Sequence, residues 1–250
     1  MENGCHGFCR KCNCDHSLPV SPAREACLEL MNLLRSEKRI DFSIPADLAD
    51  PRYSTDYLYG SALGKMFGIM AAKIPGGGIR FFKSFSGQYN GAWEVPGWVG
   101  PVFNLTDFHL IHDSREREIK ALGKEITELG QGAPGYGTLI RRRKRKSQEL
   151  MKKIHELYRL NNFNFQEAGL ADIFPRGQGI PTGTGDCCAP KLLQYAAVHD
   201  LVPVSIAEFY WGRENAAGTR QQGRFYPPCA SRCYPILGFM LCGLQSEPDD

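Results

Sequence analysis

Apolar positions along the chain fall into two rhythms. Cys27, Leu30, Met31 and Leu34 repeat at i, i+3, i+4 and i+7, which predicts a helix with one apolar face. Ser21 and Pro22 precede it and read as an N-cap and a first helical residue. Residues 41–61 read as loop. Residues 64–73 (GKMFGIMAAK) and 78–87 (GIRFFKSFSG) read as two strands joined by Ile74-Pro75-Gly76-Gly77, a hairpin signal. Residues 93–105 carry Pro96 and Pro101 and predict an irregular or edge segment.

Two helical stripes follow, Ile119, Leu122, Ile126 and Leu129 in residues 113–129, then Leu150, Ile154, Leu157 and Leu160 in residues 138–160. The Gly- and Pro-rich residues 131–137 separate them, so an antiparallel helical hairpin is expected. The stripes are narrow and their flanks heavily charged, which predicts an arm, inserted at 107–165. Residues 187–199 predict a helix carrying Leu192, Leu193, Ala196 and Ala197, and 202–211 (VPVSIAEFYW) a strand. Residues 227–244 begin Pro-Pro-Cys and run into an apolar helix. The expected fold is α/β, a mixed sheet of three or more strands flanked by helices. Its divisions are a Cys/His-rich tail at 1–20, one α/β domain with the arm at 21–245, and an acidic tail at 246–250.

Composition narrows the class. With 250 residues, 42% apolar and 23% charged, the chain is long enough for a real core and unlike a disordered one. A formal charge of +3 neither implies nor excludes a nucleic-acid partner. The most apolar stretch, Cys233 to Leu244, is too short to span a bilayer. The first residues lack a charged-then-apolar secretory pattern, so a cytoplasmic location with no membrane partner is expected. Ten cysteines in that setting read as thiols or metal ligands more than as disulfides.

Two cysteine motifs carry the chemistry. Gly185-Asp186-Cys187-Cys188-Ala189-Pro190-Lys191 and Pro228-Cys229-Ala230-Ser231-Arg232-Cys233 each put cysteine at a predicted helix N-terminus, where the helix dipole favours thiolate. Thiolates are what zinc requires, and Cys229 and Cys233 lie one helical turn apart. The same residues also read as small buried groups at tight loop-to-helix junctions, or as a disulfide. The order helix, strand–turn–strand, Cys-headed helix, strand, Pro-Cys-headed helix resembles the zinc nucleoside and nucleobase deaminases. Those enzymes carry a proton-shuttling Glu two residues after the first ligand. Here Ala189 and Pro190 stand there, leaving Asp186 or Glu208 as substitutes, and the second motif has three residues between cysteines instead of two.

A wider set of landmarks spans the chain. They are Lys65-Met66-Phe67-Gly68, Ser84-Phe85-Ser86-Gly87, Pro101-Val102-Phe103, Thr182-Gly183-Thr184-Gly185-Asp186-Cys187 through Ala196, Ala207-Glu208-Phe209-Tyr210-Trp211-Gly212, and Phe225-Tyr226-Pro227 through Pro235-Ile236-Leu237. In this order, with a charged helical arm between them, they resemble the N-terminal accessory region of long bacterial RluA-type RNA pseudouridine synthases. The resemblance runs from Pro22 to Leu244 and implies Cys187, Cys229 and Cys233 as the functional set, with Cys188 a local extra. The synthase's catalytic Arg-Leu-Asp is missing from this chain. The implied role is a zinc-binding, deaminase-like accessory protein of RNA modification that binds RNA, or assists a separate synthase, without pseudouridylating. The alternatives are an active zinc hydrolase or deaminase on a nucleobase or nucleotide, and a metal-free interaction scaffold.

Other candidates rank below these. Arg141-Arg142-Arg143-Lys144-Arg145-Lys146 can neutralise RNA phosphates, or can be the solvated face of a helix. Cys5, Cys9, Cys12 and Cys14 (or His16) can form a small zinc knot, or an unstructured metal-scavenging tail; the Cys5–Cys9–Cys12 spacing also occurs in radical-SAM enzymes, whose barrel this chain does not match. His109 and His112 beside Asp113 read as surface. Gly76-Gly77-Gly78 lacks the Lys-Ser/Thr of a phosphate loop, and Gly183-Thr184-Gly185 reads as a tight turn or a phosphate seat.

Overall fold

The computed structural model describes residues 4–175 and 177–244; the acidic tail at 246–250 lies outside them. The chain opens with an antiparallel hairpin, β1 (Cys5–Cys9) and β2 (Cys14–Leu18), where sequence periodicity marked no element. Helix α1 (Ala23–Glu37) follows, burying Ala23, Cys27, Leu30, Met31 and Leu34, the predicted stripe with one addition. Its start differs from expectation. Pro22 is the N-cap, and Ser21 bonds the Glu25 carboxylate at 3.2 Å instead of capping the backbone. The Ala23 N–H donates to Ser205 Oγ at 2.9 Å, so a distant strand supplies the cap.

Strands β3 (Lys65–Lys73) and β4 (Ile79–Phe85) form the expected hairpin. Helices α2 (Leu105–Leu129) and α3 (Tyr136–Glu156) come next. Helix α2 starts eight residues before the predicted 113, because Asn104 caps it by accepting from the Asp107 N–H at 3.2 Å. Beyond them lie the short strands β5 (Arg159–Asn161) and β6 (Glu167–Gly169) and the one-turn helix α4 (Leu170–Ile173). Helix α5 (Cys188–Val198), strand β7 (Val202–Trp211) and helix α6 (Tyr234–Leu241) complete the chain. The last helix is half the length its apolar run implied, because residues 227–233 are spent on a non-helical approach.

The chain divides into two compact units. One is Phe103–Arg159 with Gly169–Asp172; the other holds the remainder. In the smaller unit α2 and α3 pair through Ile119, Leu122 and Ile126 on one helix and Leu150 and Ile154 on the other. Leu129 is exposed, so the first stripe is one residue shorter than its sequence pattern; α3 ends before Leu157 and Leu160, so the second is two residues shorter.

In the larger unit a three-stranded sheet has the order β4-β3-β7. It is antiparallel throughout, not mixed: β3 pairs β4 as a hairpin and pairs β7 antiparallel on its other edge. Strand alternation assigns the two faces. Phe67, Ile69, Phe85, Ala207, Phe209 and Trp211 join the buried side of α1 in one core, with Tyr89 and Trp98. The Phe67 ring lies 5.6–5.8 Å from the Trp98 and Phe209 rings, contacts worth about 0.5–1.5 kcal/mol each beyond burial. Trp98 Nε1 donates to the Ile40 carbonyl at 2.7 Å, so this core leaves no polar debt at the indole. The opposite face, with Gly68 and Glu208, meets α5. No helix among the described residues is long and apolar enough to cross a membrane.

Candidate metal centre

The opposite face of the sheet carries the polar chemistry. Glu208 lies at the middle of β7, opposite Gly68 in the register with β3. Its neighbours Ala207 and Phe209 face the α1 core, so alternation forces the carboxylate to the α5 side. There it is 5% exposed, and its Oε1 accepts the Ala189 N–H at 2.8 Å, in the first turn of α5. Burial is the main force pushing its pKa up to about 7, and the thiol of Cys229 adds to the rise; the Ala189 bond works against both.

Gly68 makes this arrangement fit. A Cβ there would sit 2.7 Å from Cys188 Cβ and 3.2 Å from Glu208 Cγ. Cys188 itself is fully buried, with its Sγ donating to the Met66 carbonyl at 3.4 Å. It packs against the sheet while its neighbour Cys187, the N-cap of α5, turns the other way.

Cys187, Cys229 and Cys233 come together. Their sulfurs all lie within 4.8 Å of one another, Cys229 and Cys233 at 3.4 Å. Local backbone explains the second pair: the N–H groups of Cys233 and Tyr234 both donate to the Cys229 carbonyl at 3.1 Å, a closed turn that leads into α6. Tetrahedral zinc with Zn–S bonds of about 2.3 Å requires sulfurs about 3.8 Å apart, within the observed spread. The three thiols are linked by hydrogen bonds that affect them unequally. Cys229 is held far below the ordinary thiol value by hydrogen bonds from Cys187 and Cys233, and those two donors are raised in turn. Three thiolates at this spacing need a cation.

Cys187 and Cys229 line a cavity of about 500 Å³, with Cys233 buried behind them. Glu208, Asp186 and the cationic Lys65, Arg220 and Arg232 line it. Arg232 hydrogen-bonds Cys229. The cavity floor is braced by Lys191, one turn into α5. It is 1% exposed, and its Nζ donates to the carbonyls of Phe85 (3.0 Å) and Gly87 (2.8 Å). The Gly87 N–H donates to the Asp186 carbonyl at 2.8 Å. The Ser84–Gly87 and Asp186–Lys191 landmarks are thereby one physical unit, with Lys191 a residue that sequence reasoning did not single out. An unbroken helix with a lysine between alanine, proline and leucine was its signal.

The remaining candidates separate. Cys9 and Cys12 gather with His16 and Cys242, all four donor atoms within 4.8 Å; Cys5, buried in β1, and the exposed Cys14 stand outside that group. Cys242 went unmarked because it lies over 220 residues from the others in sequence. Arg141, Arg142, Arg143, Lys144 and Arg145 are exposed on α3, and Lys146 is half-buried. Lys146 pairs with Glu118 of α2 at 2.8 Å and Arg145 with Glu149 at 3.7 Å, so part of the run is neutralised locally. His109 and His112 both bond Asp113 on α2. No protein-family model, curated protein or solved structure matches the chain.

Two measurements test this architecture. Gly68→Ala is expected to lower stability by about 1–3 kcal/mol in denaturant unfolding, because Cys188 and the sheet must part; an unchanged midpoint would show the contact to be slack. Lys191 gives a pH signature. Burial lowers its pKa from 10.5 to about 8, with Asp186 opposing. Between those values the unfolded chain holds a proton the folded chain has shed, so the folded state gains stability as pH rises. The melting temperature of the wild type relative to Lys191→Met is expected to climb from about pH 7.5 to about pH 9.5. A gap independent of pH contradicts the depressed value.

Proposed function

We propose that the chain is a zinc-dependent hydrolase of the deaminase type, with zinc held by Cys187, Cys229 and Cys233 and Glu208 as its proton carrier. The observation that carries this reading is the convergence of three thiols, two of them on the wall of a cavity that also holds a buried carboxylate. Three protein ligands leave a fourth position for water or substrate, the pattern of catalytic rather than structural zinc. The chemistry such a centre supplies is activation of water as a nucleophile near neutral pH.

The chain's own residues divide the remaining work. Glu208, with a pKa near 7, is suited to accept a proton from water and return it to a leaving amine. The Ala189 N–H fixes its Oε1, which orients the carboxyl group at the cavity wall. Lys65, Arg220 and Arg232 favour an anionic substrate such as a nucleotide. Order of elements supports the same reading: α1, the β3–β4 hairpin, α5 headed by Cys187, β7, then α6 capped by Cys233. The departure is the position of the acid, which comes from a strand rather than from two residues beyond the first ligand. Glu208 is preferred to Asp186 because it is the deeper of the two and has a raised pKa.

A role in RNA modification, beside a separate pseudouridine synthase, is supported by the sequence landmarks and by the exposed part of the α3 basic run. In this reading Arg141–Arg145 contact backbone phosphates, and Lys146 stays with Glu118.

The test of the enzyme is ammonia release from cytosine, adenine and guanine nucleosides, nucleotides and single-stranded RNA. Glu208→Gln is expected to keep zinc and lose roughly 10²–10⁴-fold in rate. Cys229→Ser/Cys233→Ser should lose the activity together with the zinc of the central site. Zinc in the central site with no release from any of these substrates would overturn the deaminase assignment. For RNA, changing Arg141, Arg142, Arg143, Lys144 and Arg145 to Gln should weaken binding and flatten its salt dependence. Equal affinity and slope in the variant would leave the run a solvated helix face.

A further inference from the structure

The described part of the chain begins with a hairpin of two five-residue strands, a size that is at best marginally stable by itself. It is held against α6 by backbone. A Cβ on Gly7 would lie 2.4 Å from the Gly238 nitrogen, and one on Gly238 would lie 2.1 Å from the Phe8 carbonyl carbon. Two glycines thus cross where strand and helix touch. Register puts Cys5, Gly7 and Cys9 with their partners Leu18, His16 and Cys14 on one face of the hairpin. That is the face turned to α6, and one turn beyond Gly238 the helix ends in Cys242.

The hairpin loop brings the fourth group. Asn13 adopts φ 59° and its N–H donates to the Cys9 carbonyl at 2.8 Å, curling Cys12 back over the strand end. Cys12 Sγ comes to 3.0 Å from His16 Nε2. Cys9 and Cys242 are buried, at 0% and 3% exposure. Lys11 seats its ammonium 5.0 Å above the Phe239 ring, which pins the loop to the same helix. Outside the four donors, Asn164 Nδ2 points to Cys242 Sγ at 3.4 Å, the kind of N–H contact that supports a metal-bound thiolate. The Phe163 N–H holds the Cys242 carbonyl at 2.9 Å.

We infer that Cys9, Cys12, His16 and Cys242 form a second, closed metal site, a structural Cys₃His zinc clasp that fastens the N-terminal hairpin to the end of α6. All four donor atoms lie within 4.8 Å of one another. Soft thiolates with one imidazole in a four-donor set select zinc. Four protein ligands leave no position for water, so this site holds structure where the central trio has room for chemistry. It is independent of the proposed activity. Its consequence reaches the central site nonetheless, because Cys233 caps the start of α6 and Cys242 its end, so one helix is flanked by a ligand of each metal.

Cys12 and Cys14 make an internal comparison, since both are exposed and two residues apart, yet only Cys12 belongs to the four. Alkylation of the folded, zinc-containing protein, read residue by residue by mass spectrometry, should modify Cys12 roughly tenfold or more slowly than Cys14. Chelation should bring Cys12 up to the Cys14 rate. Metal analysis provides the second arm. The Cys229→Ser/Cys233→Ser protein should retain about one zinc per chain, and adding Cys12→Ser/His16→Ala should remove it. These two positions lie outside the core, so the variants test binding and not folding. Equal labelling of Cys12 and Cys14 before chelation overturns the clasp. So does zinc that survives the four substitutions, or protection of Cys12 that yields to reductant but not to chelator. Failure of deamination with the clasp intact would concern only the central site.

Discussion

The electrostatic cost of ionising three thiols in one small volume is the constraint on which the central architecture turns. Cys187, Cys229 and Cys233 are brought within 4.8 Å by three separate backbone devices: a helix cap, a closed turn and a helix entry. Without a cation, the hydrogen bonds that favour ionisation of Cys229 oppose it in Cys187 and Cys233. A divalent ion would permit all three to ionise and would convert a repulsive cluster into a fastening between α5 and α6. The buried Glu208 adds to the same imbalance, since desolvation already resists its ionisation. A metal centre at this point would relieve both strains at once.

The sheet is organised to make that cluster possible. Glu208 can face α5 only because its neighbours satisfy the opposite core, and Phe209 in particular stacks on Phe67 within it. Gly68 removes the side chain that would occupy the space. Lys191 then ties the end of β4 to α5 through two carbonyls, so the cavity rim is fixed by a buried charge and not by loop packing. Each of these residues works through a long-range neighbour, which is why substitution effects here should spread beyond the altered side chain.

Local patterns made much of this visible before the structure. The α1 stripe, the β3–β4 hairpin, the run of β7 and the two cysteine-headed helices are all encoded within windows of ten to fifteen residues, and periodicity reads them directly. The antiparallel placement of β7 was not legible, because strand pairing is decided by packing of Phe67 and Phe209 and not by the strand's own composition. Nor was the start of α2, where a single Asn cap outweighs a mixed polar segment. In the candidate metal centre the cysteines announced themselves. Lys191 and Gly68 did not, since their importance lies in what they meet across the fold.

Cys242 carries the same lesson to the terminal hairpin. A reading confined to residues 5–16 finds enough cysteine for a self-contained knot, with Cys5 and Cys14 included. Cys5 and Cys14 share a hairpin face with Cys9 and His16, but the crossing of Gly7 over Gly238 lays that face on α6, where Cys9, Cys12 and His16 gather at Cys242. The fourth donor is then supplied by the other end of the chain. A clasp built this way differs physically from a local knot. Closing a knot orders about a dozen residues, whereas closing this clasp joins segments more than two hundred residues apart and removes the entropy of that whole loop from the unfolded chain. Loop entropy grows only logarithmically, so the gain over the knot is about 2–3 kcal/mol by this measure. Its larger effect is positional: a metal at Cys242 would hold the far end of the helix whose N-cap, Cys233, belongs to the central site.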